Sequence, residues 1–311
     1  HGNRIANMIM RECDLIVTVG ARLSLRQVGR YTANFAPQAH LVRADIDESE
    51  LSRNIKIDED KFHTDARDFM RKLLDEPVGD FSVWRQQCLE AKAILDEFDK
   101  QPGNRAIEAI GALLPPSANV SVDVGMNQCW TAQSLVLKGY KGRIHISGGY
   151  GTMGCGLPYA IGSAIAQKGE PVYCIAGDGG FQMNIQELET VRRENLPIKI
   201  FILNNRVLGK ISETQHFSHG DRFACTAVSG GYTVPNLVKI AEAYGIKAIK
   251  LSSYEDLVNY KERMTDKEPC LFDIPLPEES LLTPKIKWET GKINPAISED
   301  VVKRVKEILS R

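Results

Sequence analysis

Residues 172–205 set the tightest limit on how this chain can fold. Val172-Tyr173-Cys174-Ile175-Ala176 is a short apolar run closed by Gly177, the form of a buried strand ending in a tight turn. Gly177-Asp178-Gly179-Gly180-Phe181 follows. Ile185, Leu188 and Val191 then recur at helical spacing, with Glu187, Arg192, Arg193 and Glu194 available for the wet face. A second apolar run, Ile198 to Leu203, leads into Asn204-Asn205. The order is strand, loop, helix, strand, loop. If the strands are parallel neighbours, Asp178 and Asn205 both lie just past a carboxyl end, where open α/β sheets bind ligands. A carboxylate and an amide oxygen are hard donors that suit Mg²⁺, which takes its remaining ligands from water and a phosphorylated partner. Gly179 and Gly180 are expected to let backbone N–H groups approach phosphate oxygens with no Cβ in the way. The pattern points to a diphosphate held through a divalent metal. The plainer alternative is an ordinary βαβ unit whose glycines and asparagines only make turns.

The flanking sequence extends this alternation. Apolar runs at 119–124, 143–147, 171–176, 198–203, 246–251 and 270–274, with helical segments between them, predict a mainly parallel six-stranded α/β sheet covered by helices on both faces. Ahead of it, a helix over 5–12, a strand over 14–19, a second strand over 41–47 and a helix over 61–74 form a partial α/β domain, too short for a doubly wound fold alone. Residues 77–104, broken by Pro77, Gly79, Pro102 and Gly103 around a helix over 83–98, read as a linker. The expected domains are therefore 1–76, a linker over 77–104, and 105–311. Because the chain opens at His1, without methionine, it is expected to be part of a larger or trimmed protein.

Charge narrows the partners. Lys plus Arg number 39 against 40 Asp plus Glu, so nothing favours nucleic acid or an anionic membrane. No apolar run reaches spanning length and no signal peptide opens the sequence, which predicts a cytoplasmic location. The cysteines include no Cys-x-x-Cys pair and sit mostly in apolar segments, as Cys174 and Cys270 do, the usage of a reducing compartment. His216 and His219 are read as surface residues rather than metal ligands. A dehydrogenase is disfavoured because no Gly-x-Gly-x-x-Gly turn follows a first strand with an acid some 20 residues on.

Gly-Asp-Gly followed at this interval by Asn-Asn resembles the signature of thiamine diphosphate enzymes, and Gly180 to Leu188 is similar to the acetolactate synthase branch. Three further stretches carry the resemblance. Asp123-Val124-Gly125-Met126-Asn127-Gln128-Cys129-Trp130 is similar to the loop that closes over the diphosphate, with Met126 and Asn127 where the family often has Gln and His. It implies that Asn127 donates to a phosphate oxygen. Ser147 to Pro158 is glycine-rich and includes Met153, the position at which the family's methionine wedges beneath the cofactor and bends it, while the carbonyl near Gly151 accepts from the aminopyrimidine. A thioether suits that gap. Arg206-Val207-Leu208-Gly209-Lys210 is similar to the segment that gives the metal a backbone carbonyl, at Val207.

The resemblance thus implies metal ligation by Asp178, Asn205 and Val207. It implies cofactor contacts from Met126, Asn127, Gly151, Met153, Gly177, Asp178, Gly179, Gly180, Asn205, Val207, Leu208 and Gly209, with Gly151 and Met153 nearest the chemistry. It also implies thiamine diphosphate and Mg²⁺ as cofactors, decarboxylation of pyruvate with carboligation to a second 2-oxo acid in branched-chain amino-acid biosynthesis, and a homodimer or homotetramer. Residues 13–22 and 45–47 are similar to the later half of the family's central domain, which contributes to binding a structural FAD. Arg22 would contact that flavin, although Ser24-Leu25 replaces the family's usual Asp-Asp. Leu282 to Pro295 resembles a tail over the active site. Thr214 stands where the family's synthases carry a substrate-channel tryptophan, and with Lys210 leaves open a decarboxylase or carboligase for another 2-oxo acid or an acyl-CoA. In the family an N-terminal domain carries the glutamate that protonates the pyrimidine ring. The 311 residues alone are therefore expected to bind cofactor poorly and turn over little, and a non-catalytic half needing a partner chain is the third reading.

Overall fold

The computed structural model describes residues 2–77, 79–96, 98–138, 142–286 and 293–310. Val78, Glu97 and residues 287–292 of the expected linker and tail lie outside the described residues. The chain divides into two compact units, His1–Asp99 with Thr283–Arg311, and Lys100–Leu282.

The first unit holds three parallel strands, β1 (Leu15–Val19), β2 (His40–Asp45) and β3 (Glu59–His63), in that spatial order. Its centre is polar as well as apolar. Arg43, on β2, reaches Glu59 on β3 at 3.1 Å and donates to the carbonyls of Arg53 and Glu50, so a buried guanidinium has every side answered. A second cluster packs helix Glu299–Leu309 through Val305, Ile308 and Leu309 with Ala91 and Leu95 of helix Ser82–Leu95 and Ile5 and Met8 of helix Arg4–Glu12. Residues 283–311, which the sequence reading grouped with the diphosphate-binding domain, thus group with the first unit, as does the linker helix. The physical reason is the apolar stripe of Glu299–Leu309, which is buried against Ser82–Leu95 and Arg4–Glu12.

The second unit is built on six parallel strands, β4 (Asn119–Val122), β5 (Arg143–Ile146), β6 (Val172–Gly177), β7 (Ile198–Asn204), β8 (Lys247–Lys250) and β9 (Cys270–Pro275). Their spatial order is β5-β4-β6-β7-β9-β8, every pair parallel, as the alternation of apolar runs predicted. Strands buried on both faces read as continuous apolar runs, and here successive side chains feed two layers. Tyr173, Ile175, Phe201, Leu203 and Phe272 face one layer, with Ile107, Ile110, Trp130 and Leu257. Val172, Cys174, Ala176, Ile198, Ile200 and Ile202 face the other, with Leu157, Ala160, Leu188 and Leu237. From β4 the chain steps outward to β5, then crosses back over β4 to place β6 on its far side. The loops leaving β4 and β6 therefore diverge, and a crevice opens between them at the strands' carboxyl ends. Among the described residues no helix is long and apolar enough to cross a membrane.

Phe201 is fully buried at the centre of this sheet and stacks on Phe272 with centroids 5.3 Å apart. Phe201→Ala is expected to cost about 3–5 kcal/mol of stability, read as a lower urea midpoint with an unchanged slope. A loss under about 1 kcal/mol would contradict this packing.

Candidate functional site

The crevice is an open cleft walled by the segments that leave β4, β6 and β7 and by Met153. The register of β6 on β7 sets Gly177 beside Leu203, so Asp178, one step beyond, and Asn205, two steps beyond, emerge together at the cleft floor. Asp178 opens the short helix Asp178–Gln182 and is 1% exposed. Its Oδ1 accepts the Gly179 N–H at 2.8 Å, while its Oδ2 has no partner. Burial pushes the carboxyl up to about 7, against backbone N–H donors from Gly179 and Arg206 that favour the charged form, and the nearby Asp273 charge adds to the rise. Asn205 is 5% exposed, and its Oδ1 is engaged at long range by the Val207 N–H, 3.3 Å. Arg206 takes a left-handed φ of 58°, turning the chain sharply so that Val207, Leu208 and Gly209 also line the cleft. Helix Gly209–Ser218 starts here with no side-chain cap, its amide end at the cleft wall.

A buried carboxylate with an empty lone-pair side is costly unless a cation answers it. Asp178 is not alone. Five buried side-chain polar atoms among the described residues lack a hydrogen-bond partner, and Asp178 Oδ2, Asp123 Oδ2 and Tyr232 Oη are three of them. They gather around two glycines: a Cβ on Gly179 would sit 2.9 Å from Tyr232 Oη and 2.3 Å from Leu208 Cδ2, and one on Gly180 only 1.9 Å from Asp123 Oδ2. The sequence reading gave Gly179 and Gly180 the task of admitting phosphate to the backbone. Both do line the cleft, but their missing side chains make room for Leu208, Tyr232 and Asp123. Burial raises the Asp123 carboxyl too, against the backbone N–H groups of Val124, Gly156, Gly154 and Cys155. Burial, then the Asp178 charge, pushes the Tyr232 phenol up.

Eleven of the twelve expected cofactor-contacting residues line this one cleft: Met126, Asn127, Met153, Gly177, Asp178, Gly179, Gly180, Asn205, Val207, Leu208 and Gly209. Gly151 does not. It takes φ +65° in a turn where its N–H donates to the Ser147 carbonyl at 3.1 Å, away from the cleft wall. Asn127 sits in the wall, but its amide nitrogen donates to the carbonyls of Asp123 (2.7 Å) and Ile175 (3.4 Å), tying helix Met126–Ser134 to the sheet. Its oxygen, not its N–H₂, is what remains for a ligand. Val124, Gly125, Trp130, Leu203, Lys210 and Ile211 complete the wall without having been named as cofactor contacts. Tyr232 carried no readable signal, because the residues around it, 228–234, show no periodicity.

The donor set fits a magnesium–diphosphate group. Asp178 is the one carboxylate of the wall and the other oxygens are amide and main-chain, hard donors too few to cage an ion by themselves and of the kind Mg²⁺ combines with water and phosphate oxygens.

Comparison with known families and proteins bears on the same region. The family profile described as thiamine pyrophosphate enzyme, C-terminal TPP binding domain, matches residues 123–274, and the thiamine pyrophosphate enzyme central domain matches residues 1–73. A probable acetolactate synthase large subunit of Methanocaldococcus jannaschii is 33% identical over 324 residues, covering 98% of this chain and 54% of the relative. The acetolactate synthase large subunit of Porphyra purpurea is 33% identical over 306 residues, 94% of this chain and 50% of the relative. Acetolactate synthase 1, chloroplastic, of Nicotiana tabacum is 35% identical over 311 residues, 92% and 45% respectively. The chain spans about half the length of the curated relatives it matches.

The buried Asp178 carboxyl has a measurable consequence in metal-free protein. Between the ordinary value of 3.8 and the folded value of about 7, the folded state keeps a proton that the unfolded state has released. Stability from this group is therefore fully present below pH 4, falls as pH rises, and is lost above pH 7, by at most about 1.4 kcal/mol per pH unit. Asp178→Asn is expected to remove that fall, so its melting temperature exceeds that of the wild type at pH 8 and the gap closes toward pH 4. Parallel pH profiles for the two proteins would exclude it.

Proposed function

The chain belongs to the thiamine pyrophosphate enzymes, with acetolactate synthase large subunits among its relatives, and from that premise we propose that it forms the diphosphate-binding part of a Mg²⁺-dependent carboligase acting on pyruvate. The observation that carries this is the unpartnered Asp178 carboxylate oxygen, buried beside Asn205 at the sheet's switch point. Asp178 and the Asn205 amide oxygen, with the Val207 carbonyl, would hold Mg²⁺. The start of helix Gly209–Ser218, at Leu208 and Gly209, would face the diphosphate, where uncapped N–H groups and the positive end of the helix favour anions. When bound, thiamine diphosphate supplies the nucleophilic carbon that makes loss of CO₂ from a 2-oxo acid feasible and carries the resulting two-carbon unit to a second carbonyl.

The chain's own side chains have simpler tasks. Met126, Trp130, Met153, Leu208 and Ile211 make the wall apolar and keep water from the reacting carbon. Met153 would pack against the cofactor's rings, its thioether adapting to an irregular shape. Asp123 accepts the Gly156 N–H at 3.2 Å and so fixes the loop that delivers Met153. The Arg22 guanidinium, linked by resemblance to FAD, is paired with Glu50 at 3.1 Å, so FAD forms no part of this reading.

Because the chain spans about half of its relatives, the activity is proposed for the polypeptide that carries it, as a cytoplasmic homodimer or homotetramer, with the 311 residues alone turning over little or nothing. The relatives named large subunits make a further subunit a reasonable partner. The test is pyruvate consumption with and without 2-oxobutyrate, in the presence of Mg²⁺ and thiamine diphosphate, with products resolved by mass spectrometry. Acetolactate or its ethyl homologue supports the proposal, and absence of any CO₂ release from pyruvate removes it.

Asp178→Ala and Asn205→Ala are expected to weaken binding of Mg²⁺–thiamine diphosphate by about 100-fold or more in calorimetry, the upper end of what even outer-shell changes cost at metal sites. Unchanged affinity in both would show that the two side chains do not share one ion.

A further inference from the structure

The cleft wall carries two charged side chains, Asp178 and Lys210. Metal binding accounts for the first. Lys210 takes no part in the proposed metal site, and a lysine in a wall that includes Met126, Trp130, Met153, Leu208 and Ile211 needs a polar partner for its ammonium. Its setting is specific. Nζ lies 3.2 Å from Glu213 Oε2, one turn along helix Gly209–Ser218. The Glu213 side chain is 3% exposed, and its other oxygen accepts the Leu282 N–H at 3.3 Å. An exposed i,i+3 pair contributes little and holds neither partner still. Here one partner is buried and fixed to the main chain, so it anchors the amine at the cleft. The Lys210 side chain remains 35% exposed, and an ammonium has three N–H donors, of which Glu213 engages one. Thr214, the next residue along that helix face, bonds back to the Lys210 carbonyl at 3.0 Å and adds no bulk that would close the approach.

We infer that Lys210 selects an acceptor carbonyl compound that carries an anionic group, phosphate or carboxylate, away from the reacting carbon. This rests on the proposed carboligation, and it narrows the acceptor beyond a simple 2-oxo acid. Two donors on a clamped ammonium suit an oxyanion, and such charge-assisted bonds are the stronger kind. The apolar wall beside them fits the carbon chain that joins anion to carbonyl.

The test uses matched acceptors on the full polypeptide loaded with thiamine diphosphate and Mg²⁺, with pyruvate as donor: glyceraldehyde 3-phosphate against glyceraldehyde, and succinic semialdehyde against butanal. At least one anionic acceptor is expected to exceed its neutral partner in kcat/KM by about tenfold or more, mainly through KM. Lys210→Met reduces that ratio to near one, and Lys210→Arg keeps part of it. Since Lys210→Met takes a charged partner from the buried Glu213, the double variant Lys210→Met with Glu213→Gln is measured as well, and the same loss of preference is expected there. Calorimetric titration with glycerol 3-phosphate against glycerol, and 4-hydroxybutyrate against 1-butanol, gives a readout that needs no turnover. Tighter binding of an anion that both methionine variants abolish supports the inference. Equal use and equal binding of charged and neutral partners, or a preference untouched in the double variant, overturns it. Failure to release CO₂ from pyruvate with any acceptor would instead sink the proposed reaction, while the titrations would still decide the role of Lys210.

Discussion

The pairing of β6 with β7 is the constraint on which the second unit depends. Both strands are buried on both faces, so a slip of one residue would send Ile175 and Phe201 into the layer shaped for Cys174 and Ile200. Packing of that kind fixes register far more firmly than hydrogen bonds alone. With Gly177 opposite Leu203, the sheet delivers Asp178 and Asn205 to one level, and the crossing of the chain over β4 supplies the space above them. The site is a consequence of strand order before it is a consequence of any loop.

The same region holds the structure's least favourable electrostatics. Asp123 and Asp178 are each 1% exposed, their carboxyls are raised by burial, and each leaves one oxygen unanswered. Their situations differ in kind. Asp123 is bound through Oδ1 to the start of helix Gly156–Ala166 and stands against Gly180, so it ties the end of β4 to the loop that carries Met153. Asp178 makes no such tie through Oδ2, and the residue lines the cleft. One carboxylate holds the frame, and the other, in the proposed arrangement, would hold the metal. A cation would turn the second from a cost into an attraction, coupling ligand binding to the stability of the whole unit.

What the sequence disclosed follows from which interactions are local. Strands buried on both faces leave uninterrupted apolar runs, which made β6, β7 and β9 legible, while the exposed edge strands β5 and β8 were read from their place in the alternation; the rule that ligands gather at strand carboxyl ends singled out Asp178 and Asn205. Contacts set by neighbours distant in the chain were not legible. That Asn127 spends its amide hydrogens on Asp123 and Ile175 depends on how helix Met126–Ser134 lies on the sheet. That Gly180 must lack a side chain depends on Asp123, 57 positions earlier. Gly151 was placed near the chemistry by the family resemblance, and the turn it makes, with its N–H on the Ser147 carbonyl, is likewise set by the loop's path rather than by residue type. Helix Glu299–Leu309 packs on Ser82–Leu95, a contact between segments far apart in the chain that no local pattern carries.

A division of labour runs along the few residues after β7. In the proposed arrangement Val207, Leu208 and Gly209 act through their main chain, whose path is set by the left-handed Arg206 and by Gly209, where a Cβ would collide with Met126 at 2.6 Å. Leu208 also meets the cleft through its apolar side chain, and Gly209 admits none. Immediately beyond, Lys210 and Ile211 meet the cleft through their side chains, so substitutions at those positions alter what the cleft accepts while leaving the phosphate end intact. Lys210 is not independent of its neighbour, however. Glu213 is buried and held by the Leu282 N–H, so removing the ammonium takes a charged partner from a carboxylate inside the fold. A substitution at position 210 is therefore felt at position 213 as well as in the cleft.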